Sequence, residues 1–341
     1  MNEPTPTGDV SRTRPARRAL LRRVVFLAVS AVGLYLVWPS LLRTFSTLPL
    51  LADVDPGWFV AMGAFETCAF ISIWVLLRLA LRRRGWFRIA TTQLAANALS
   101  RVLPGGAATG GALQYTWLVR SGLDGATVAS GLTAASLIST AAVLALPVFS
   151  LPAILGGAPV DRGLARSAWI GLGAFVLAAV GGAVLLTTDR PLEWVGRGVQ
   201  WLLNLARRRS PVTGLPARLR AERDEIRTVF GRRWFEAMVS ALSNRLFDFL
   251  ALLAALVAVG ARPRPSLVLL AYAGSVALGM IPITPGGLGF VEAGLTAMLT
   301  LAGISVTEAT VATLAYRLVS YWLPIPVGAV AGLLFRRAYP T

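Results

Sequence analysis

Residues 281–290 read Ile-Pro-Ile-Thr-Pro-Gly-Gly-Leu-Gly-Phe, and they interrupt a segment that is hydrophobic enough to enter a bilayer. Residues 103–106, Leu-Pro-Gly-Gly, interrupt a second apolar segment in the same way. Proline and glycine break helices, so each break leaves backbone groups without helical partners. Such groups are costly in hydrocarbon and survive only where they are buried in protein or line a polar cavity. The two breaks therefore predict a polar transport pathway inside a membrane.

The composition of the 341-residue chain is that of a membrane protein. Hydrophobic residues make up 55% of the chain and charged residues 14%, with a mean hydropathy of +0.66, whereas about 25% of the residues in a soluble domain are charged. The net charge of +17 comes from arginines that cluster at the ends of apolar runs, so we expect no nucleic-acid partner. The chain has no histidine and one cysteine, Cys68, and we expect no metal and no cofactor.

Six segments have the length and apolarity that a helix needs to cross a bilayer, about 20 residues. These predicted spans lie at 24–42, 57–79, 126–150, 167–187, 234–259 and 308–335. Shorter helical pieces flank the two breaks, at 88–102 and 108–121 and at 266–281 and 288–302. Pieces of about 15 residues are too short to span alone, so each pair is predicted to form a re-entrant hairpin. The predicted fold class is an all-α integral membrane protein with six full spans and two re-entrant helical hairpins.

The distribution of arginine predicts the orientation in the membrane. With a cytoplasmic N-terminus, the basic loops 80–88 and 188–233 and the C-terminus also fall on the cytoplasmic side. We expect residues 1–20 to form a disordered basic cytoplasmic tail, residues 21–337 a single membrane domain, and residues 188–233 a cytoplasmic interfacial loop. An arginine-rich, lysine-free chain suggests a bacterium, so the expected location is the bacterial plasma membrane, with both termini cytoplasmic.

The same topology divides the chain into two units of opposite sidedness, residues 57–150 and 234–335. Each unit reads span, hairpin, span, with the first hairpin entering from the cytoplasm and the second from the outside. This layout predicts an inverted-topology repeat, in which substrate sites form at broken helices near the midplane. The alternative explanation is that membrane helices simply tolerate glycine and proline.

Ionisable residues inside the apolar segments mark the candidate site, because each costs about 2.5 to 3.5 kcal/mol at a helix centre. Glu66 and Asp248 lie near the middle of two predicted spans and precede Pro104 and Pro285 by nearly equal distances. We predict that these two acids balance charge or carry a proton. The alternative role for such charges is to hold helices together as ion pairs, and Asp248 can pair with Arg245 three residues before it.

The other polar and glycine residues at the breaks are predicted to bind an anion. Guanidinium groups bind phosphate in forked fashion, glycines allow close backbone approach, and the helix starts present free N–H groups. The predicted substrate-binding residues are Arg101, Pro104, Gly105, Gly106, Arg245, Pro285, Gly286, Gly287, Glu292 and Arg317. Glu292 and Arg317 are also close enough in the predicted topology to pair. A lipid with an anionic headgroup fits such a site best, and no catalytic residue is predicted.

Two motifs resemble a known family. Residues 281–292, followed by 316–317 and 324–326, resemble the second motif of the lysylphosphatidylglycerol synthase transmembrane, or flippase-like, family. Residues 103–115 are similar to its first motif, which adds Gln114 to the candidate substrate-binding residues. The resemblance covers most of the chain and implies an integral membrane domain that moves lipids between leaflets. Because the sequence ends at Thr341, it resembles the stand-alone members without the aminoacyl-transferase domain.

The favoured hypothesis is a lipid flippase that moves an anionic or aminoacylated phospholipid between the leaflets. One alternative changes the cargo to a polyprenyl-phosphate carrier. Another is a membrane-embedded transferase acting on lipid-linked substrates, with the intramembrane acids as base or metal ligands. We expect no enzyme, because the sequence has no clustered acidic motif and no nucleotide loop. The expected partner is a membrane phospholipid or lipid-linked anion; a homodimer and a separate lipid-modifying enzyme are further candidates.

Overall fold

The computed structural model describes residues 54–82, 85–103, 106–150, 162–206, 213–280 and 285–340. Over these ranges the chain forms helices and short connections, without a strand. Several predicted features lie outside the described residues, namely the tail 1–20, the span 24–42, Pro104 and Gly105.

The α-helices of the described ranges are numbered in chain order. They are α1 (Pro56–Ala80), α2 (Trp86–Val102), α3 (Gly106–Arg120), α4 (Gly125–Ala145), α5 (Arg162–Thr187), α6 (Asp189–Ala206), α7 (Leu215–Phe230), α8 (Trp234–Ala258), α9 (Pro265–Gly279), α10 (Phe290–Leu301), α11 (Val306–Arg317) and α12 (Pro324–Ala338). Short 3-10 turns occur at Leu146–Ser150, Gly231–Arg233 and Pro285–Gly287, and a π turn at Leu318–Trp322 joins α11 to α12.

Four stretches are long and apolar enough to cross a membrane: Pro56–Ala80, Gly125–Phe149, Trp234–Ala258 and Val306–Ala338. They coincide with four of the six predicted spans. The predicted span 167–187 lies on α5, where the apolar stretch Trp169–Gly182 is shorter. Helices α9 and α10 are apolar but too short to span, as expected of the arms of a hairpin. The chain is thus an all-helical, multi-pass membrane protein.

Polar residues at the helix starts fix where the turns lie. Asp124 accepts a hydrogen bond from the Thr127 N–H at 2.9 Å at the start of α4, and this bond lowers the pKa of the exposed Asp124 carboxyl. Because the pKa is lowered in the folded protein, the cap contributes its full stability at pH values above the ordinary aspartate pKa. This contribution is lost as the pH falls through the lowered pKa of Asp124. Ser305 and Glu308 form a reciprocal capping box at the start of α11.

Helices α1 and α8 pack along each other at the centre of the molecule. Small residues line their contact, including Ala69 and Ala241, which are 3% and 2% exposed. Small side chains let membrane helices approach closely, and the Asn244 side chain donates a hydrogen bond across the contact to the Ala69 carbonyl at 2.9 Å. This central pair carries both predicted intramembrane acids, Glu66 on α1 and Asp248 on α8.

Each break joins two helices that pack against each other, α2 with α3 and α9 with α10. Within the first pair, a Cβ atom at Gly110 would lie 2.5 Å from the Ala96 carbonyl oxygen, so only glycine allows this approach. Helix α2 also packs along α12, where Gly328 lies directly against the Leu94 backbone. Helix α9 packs against the turn Leu146–Ser150 and the adjoining α4. Each of these two helix pairs therefore also packs against a long helix from the other half of the chain.

The predicted interfacial loop contains a pair of packed helices, α6 and α7. Arg223 pairs with Asp189 at 2.6 Å and Arg220 with Glu193 at 3.1 Å across them. Trp194 and Trp201 of α6 remain 76% and 65% exposed. An exposed indole pair on an amphipathic helix is typical of a helix that lies in a membrane interface.

Candidate functional site

The end of α2, just before the first break, meets the second break inside the molecule. The Tyr321 hydroxyl donates a hydrogen bond to the Arg101 carbonyl oxygen at 2.9 Å, and Arg101 Nη1 donates to the Ser320 carbonyl oxygen at 2.7 Å. Gly286 lies at the same contact with a φ of +62°; a Cβ atom there would lie 2.8 Å from the Arg101 oxygen and would overlap the Tyr321 hydroxyl. The end of α2, the second break and the π turn thus form one contact.

Two guanidinium groups lie against one buried aromatic ring. The Arg317 guanidinium carbon is 4.2 Å from the Tyr321 ring centroid, and that of Arg101 is 4.9 Å away. Tyr321 is 3% exposed. The negative face of an aromatic ring attracts cations, so Tyr321 holds both arginines in place despite their mutual repulsion.

A carboxylate neutralises one of these two arginines. Arg317 Nε donates to Glu292 Oε1 at 2.8 Å, and the two side chains are 12% and 18% exposed. The remaining oxygen, Glu292 Oε2, is buried without a hydrogen-bond partner among the described residues. Arg101 makes no ion pair within the described ranges and donates to a backbone carbonyl instead. We call the contact formed by Arg101, Gly286, Glu292, Arg317 and Tyr321 the hairpin tips. The Arg101 guanidinium in this contact is therefore available to an anion.

A second polar cluster surrounds Asp248 on α8. The Tyr316 hydroxyl donates to Asp248 Oδ1 and the Tyr272 hydroxyl to Oδ2, both at 2.6 Å. Arg245 Nη1 lies 3.9 Å from Oδ2, which is too long for a hydrogen bond but close enough for electrostatic attraction. Asp248 thereby ties α8 to α9 and α11.

Glu66 connects the two clusters. Its side chain adjoins Asp248 and interacts electrostatically with Arg101 and Arg245. The residue is 8% exposed, and Oε1 has no hydrogen-bond partner among the described residues. A buried carboxyl oxygen without a donor is costly, so Glu66 is poised to gain one.

The structure brings most of the predicted site residues together. Arg101, Gly286, Glu292 and Arg317 share the hairpin tips, and Pro285 and Gly287 belong to the same 3-10 turn. Gly106 begins α3 at a φ of +45°. Gln114 lies further along α3, buried, and its Nε2 has no partner in the described part of the chain. Pro104 and Gly105 fall outside the described residues.

Sequence reasoning did not single out Tyr321, Ser320 or Tyr272. Tyr321 follows Arg317 by one helical turn, a spacing that places two side chains on one helix face and could have identified this cation–π contact. The π turn that contains it has no clear sequence signal, although such turns are common at functional sites. Tyr272 lies in the apolar α9, and its bond to Asp248 depends entirely on tertiary packing.

The tyrosines around Asp248 support a prediction about stability. Tyr316→Phe and Tyr272→Phe should each lower the free energy of unfolding by about 1 to 3 kcal/mol, because each leaves a buried carboxyl oxygen without its donor. Tyr115→Phe, at a 40% exposed position, is the matched control and should change little. Thermal unfolding in detergent measures all three. Equal stability of the Tyr316→Phe and Tyr115→Phe variants would contradict the expected role of Asp248.

A comparison with protein families finds one match. The family model described as the lysylphosphatidylglycerol synthase TM region matches residues 23–328, a range that includes both breaks and every candidate site residue. This match confirms the resemblance predicted from the two motifs. No curated protein matches the chain.

Proposed function

The chain belongs to the lysylphosphatidylglycerol synthase TM-region family, and from this membership we propose that it moves an anionic or aminoacylated phospholipid between the leaflets of a bacterial plasma membrane. The observation that carries the proposal is the meeting of the two breaks, where Arg101 and Arg317 share the Tyr321 ring. A polar site within apolar helices suits a lipid, whose charged headgroup needs shelter from hydrocarbon while its tails do not.

The chemistry of the hairpin tips favours a phosphate. Guanidinium groups form paired, charge-assisted hydrogen bonds with phosphate oxygens, and these bonds are stronger in a site shielded from water. Among the described residues Arg101 has no carboxylate partner to displace, and Arg317 Nη2 lies only 3.5 Å from the Gly286 carbonyl oxygen. We propose that the phosphate of the headgroup binds between these two arginines.

The packing supports the proposed inverted-topology repeat. The first spans of the two units, α1 and α8, pack on each other. The first arm of each hairpin packs on the last span of the other unit, α2 on α12 and α9 on the end of α4. A pseudo-twofold axis in the membrane plane would produce this reciprocal packing between the two units. The same axis would make the two hairpins enter from opposite sides of the membrane.

The number of charges supports a role for protons. The combined site contains three arginines, Arg101, Arg245 and Arg317, and three acids, Glu66, Asp248 and Glu292. A bound anion would leave excess negative charge, which protonation of one acid would remove. Glu66 is the proposed acceptor, because its Oε1 has no hydrogen-bond partner in the part of the chain that the structure describes, whereas Asp248 and Glu292 already accept hydrogen bonds. We propose that the protein transports its lipid without a transferase reaction. A transferase would need these acids as a base or as metal ligands, and they already accept hydrogen bonds from neighbouring side chains.

The proposed function is tested in liposomes by dithionite reduction of fluorescent lipids. The wild-type protein should accelerate the movement of phosphatidylglycerol or its aminoacylated form. Arg101→Gln should slow it about 10-fold or more, as expected for loss of a charge-assisted hydrogen bond to the headgroup. Arg120→Gln, an exposed arginine at the other end of the same hairpin, is the control.

The choice of lipid separates the alternatives in the same assay. Movement of a labelled polyprenyl phosphate but of no phospholipid would identify a carrier-lipid flippase. Movement of no anionic lipid above the rate in protein-free liposomes would overturn the proposed function.

In Glu66→Gln, transport that continues but no longer depends on pH would assign the proton to Glu66, and unchanged transport would assign Glu66 to packing.

A further inference from the structure

A groove runs between α3 and α4 on the outside of the first hairpin. It has a volume of about 530 Å³ and is lined by residues of the segments 111–116 and 129–137. It is a shallow groove that is open along its length rather than an enclosed cavity. Tyr115 and Leu137 in its walls are 40% and 54% exposed, and the Thr116 hydroxyl is bonded to the Ala112 carbonyl at 2.7 Å within its own helix. The groove therefore presents a largely apolar surface.

The equivalent interface in the second unit lies between α10 and α11, and two side-chain links close it. Glu292 accepts a hydrogen bond from Arg317 at 2.8 Å. Further along the same helices, the Thr296 hydroxyl donates to the Thr313 hydroxyl at 3.3 Å. These links hold α10 against α11 at the positions that correspond to the groove between α3 and α4.

The two interfaces correspond residue by residue. The sequence separation between Pro104 and Gly111 equals that between Pro285 and Glu292. The separation between Pro104 and Tyr115 likewise equals that between Pro285 and Thr296. Leu132 and Thr313 lie at the same sequence position relative to the starts of α4 and α11. Ser136 and Arg317 likewise occupy matching positions in these two helices. All four first-unit residues line the groove. The groove is open where the second unit has its two links.

We propose that this groove is a lateral slot that holds an acyl chain of the transported lipid while the headgroup lies at the hairpin tips. The inference rests on the proposed function. The occupant is an acyl chain because the groove opens from apolar, membrane-embedded helices, whose surroundings are hydrocarbon. Helix α3 begins at Gly106, shortly after Arg101 in the chain, and the groove begins at Gly111 further along that helix.

The asymmetry assigns a state to this structure. The slot lies along the first hairpin, which the arginine distribution predicts to enter from the cytoplasmic side. The Glu292–Arg317 and Thr296–Thr313 links close the corresponding path to the opposite leaflet. Anion binding at Arg317 competes with Glu292 for the same guanidinium, so headgroup arrival weakens the first of the two links.

The slot is tested by filling it. A Cβ atom at Gly111 would have no neighbour within 4 Å, so Gly111→Leu puts a side chain into the groove without disturbing the helix backbone. Gly173→Leu on α5 is the matched control, because that exposed glycine also has no neighbour within 4 Å. Gly111→Leu should reduce phosphatidylglycerol movement to about one-tenth of the wild-type rate, and Gly173→Leu should stay within about twofold.

Photo-crosslinking gives a second measurement that does not require transport. Phosphatidylglycerol with a diazirine in its acyl chain should label segments 111–116 and 129–137, and excess unlabelled phosphatidylglycerol should suppress these adducts more than adducts on α5. The slot proposal would be wrong if unlabelled lipid suppressed the adducts on these segments no more than those on α5. It would also be wrong if the Gly111→Leu variant transported lipid at the wild-type rate. Both outcomes apply even when the wild-type protein transports normally. Selective suppression without any transport by the wild-type protein would keep the slot as a lipid site and remove the proposed function.

Discussion

Arg317→Ala should abolish measurable lipid movement. Arg317 combines three roles at one point, because it pairs with Glu292, lies on the Tyr321 ring and faces the Gly286 carbonyl. Its loss removes a charge-assisted contact to the headgroup, which corresponds to about a 10- to 100-fold decrease in rate. It also leaves Glu292 buried without its partner, which costs about 3 to 5 kcal/mol of folding stability when the pair is fully buried and less at these partly exposed side chains.

Two further variants separate transport from stability. Arg317→Ala combined with Glu292→Ala removes the unpaired carboxylate and should recover much of the stability, while transport stays absent. Arg317→Lys keeps the charge but replaces the planar fork by a single ammonium group, so it should fold well and transport poorly. Liposome transport and thermal unfolding are measured on the same samples. Normal transport by the double variant would show that Arg317 acts only through its ion pair.

Gly286→Ala should have an effect of similar size by a different route. The positive φ at this position costs an alanine about 1 to 2 kcal/mol. In addition, the new Cβ atom overlaps the Tyr321 hydroxyl and lies 2.8 Å from the Arg101 carbonyl oxygen. The two hairpin tips must separate to make room for it, so we expect both a lower unfolding temperature and a loss of transport.

Gly303→Ala is the control for backbone strain, since Gly303 has a φ of +90° with no neighbour within 4 Å of a Cβ atom. It should lose a little stability and keep its transport activity. Tyr321→Phe retains the ring for both arginines and removes the overlapping oxygen, so adding it to Gly286→Ala should recover part of the transport. If Gly286→Ala and Gly303→Ala behave alike, contact between the two breaks is not needed for function.

The helical membrane fold could be predicted from the sequence because its determinants are local. Span length, apolarity and the prolines and glycines at the breaks are all read within short windows, and the four membrane-crossing stretches start within a few residues of the predicted spans. The Glu292–Arg317 pair was also predictable, since a buried charge in lipid needs a partner. The span count and the inverted repeat stay predictions.

The detailed arrangement of the site could not be predicted, because it depends on contacts between distant segments. Nothing near Asp248 in the sequence indicates that Tyr272 and Tyr316 bind it. The Arg245–Asp248 pair, which spacing alone predicts as a close contact, is long at 3.9 Å, and two tyrosine hydroxyls make the hydrogen bonds to the carboxylate instead. Backbone acceptors such as the Arg101 and Ser320 carbonyls are equally invisible to sequence patterns.

The π turn at Leu318–Trp322 makes the site sensitive to chain length. A π turn holds about one residue more than an α-helical turn, so deleting one residue here would restore a continuous α-helix and leave the rotation of α12 nearly unchanged. Gly328 would still face the Leu94 backbone. The deletion would remove the widened turn that brings Ser320 and Tyr321 to Arg101, so it is expected to preserve the packing of α12 while disrupting the site.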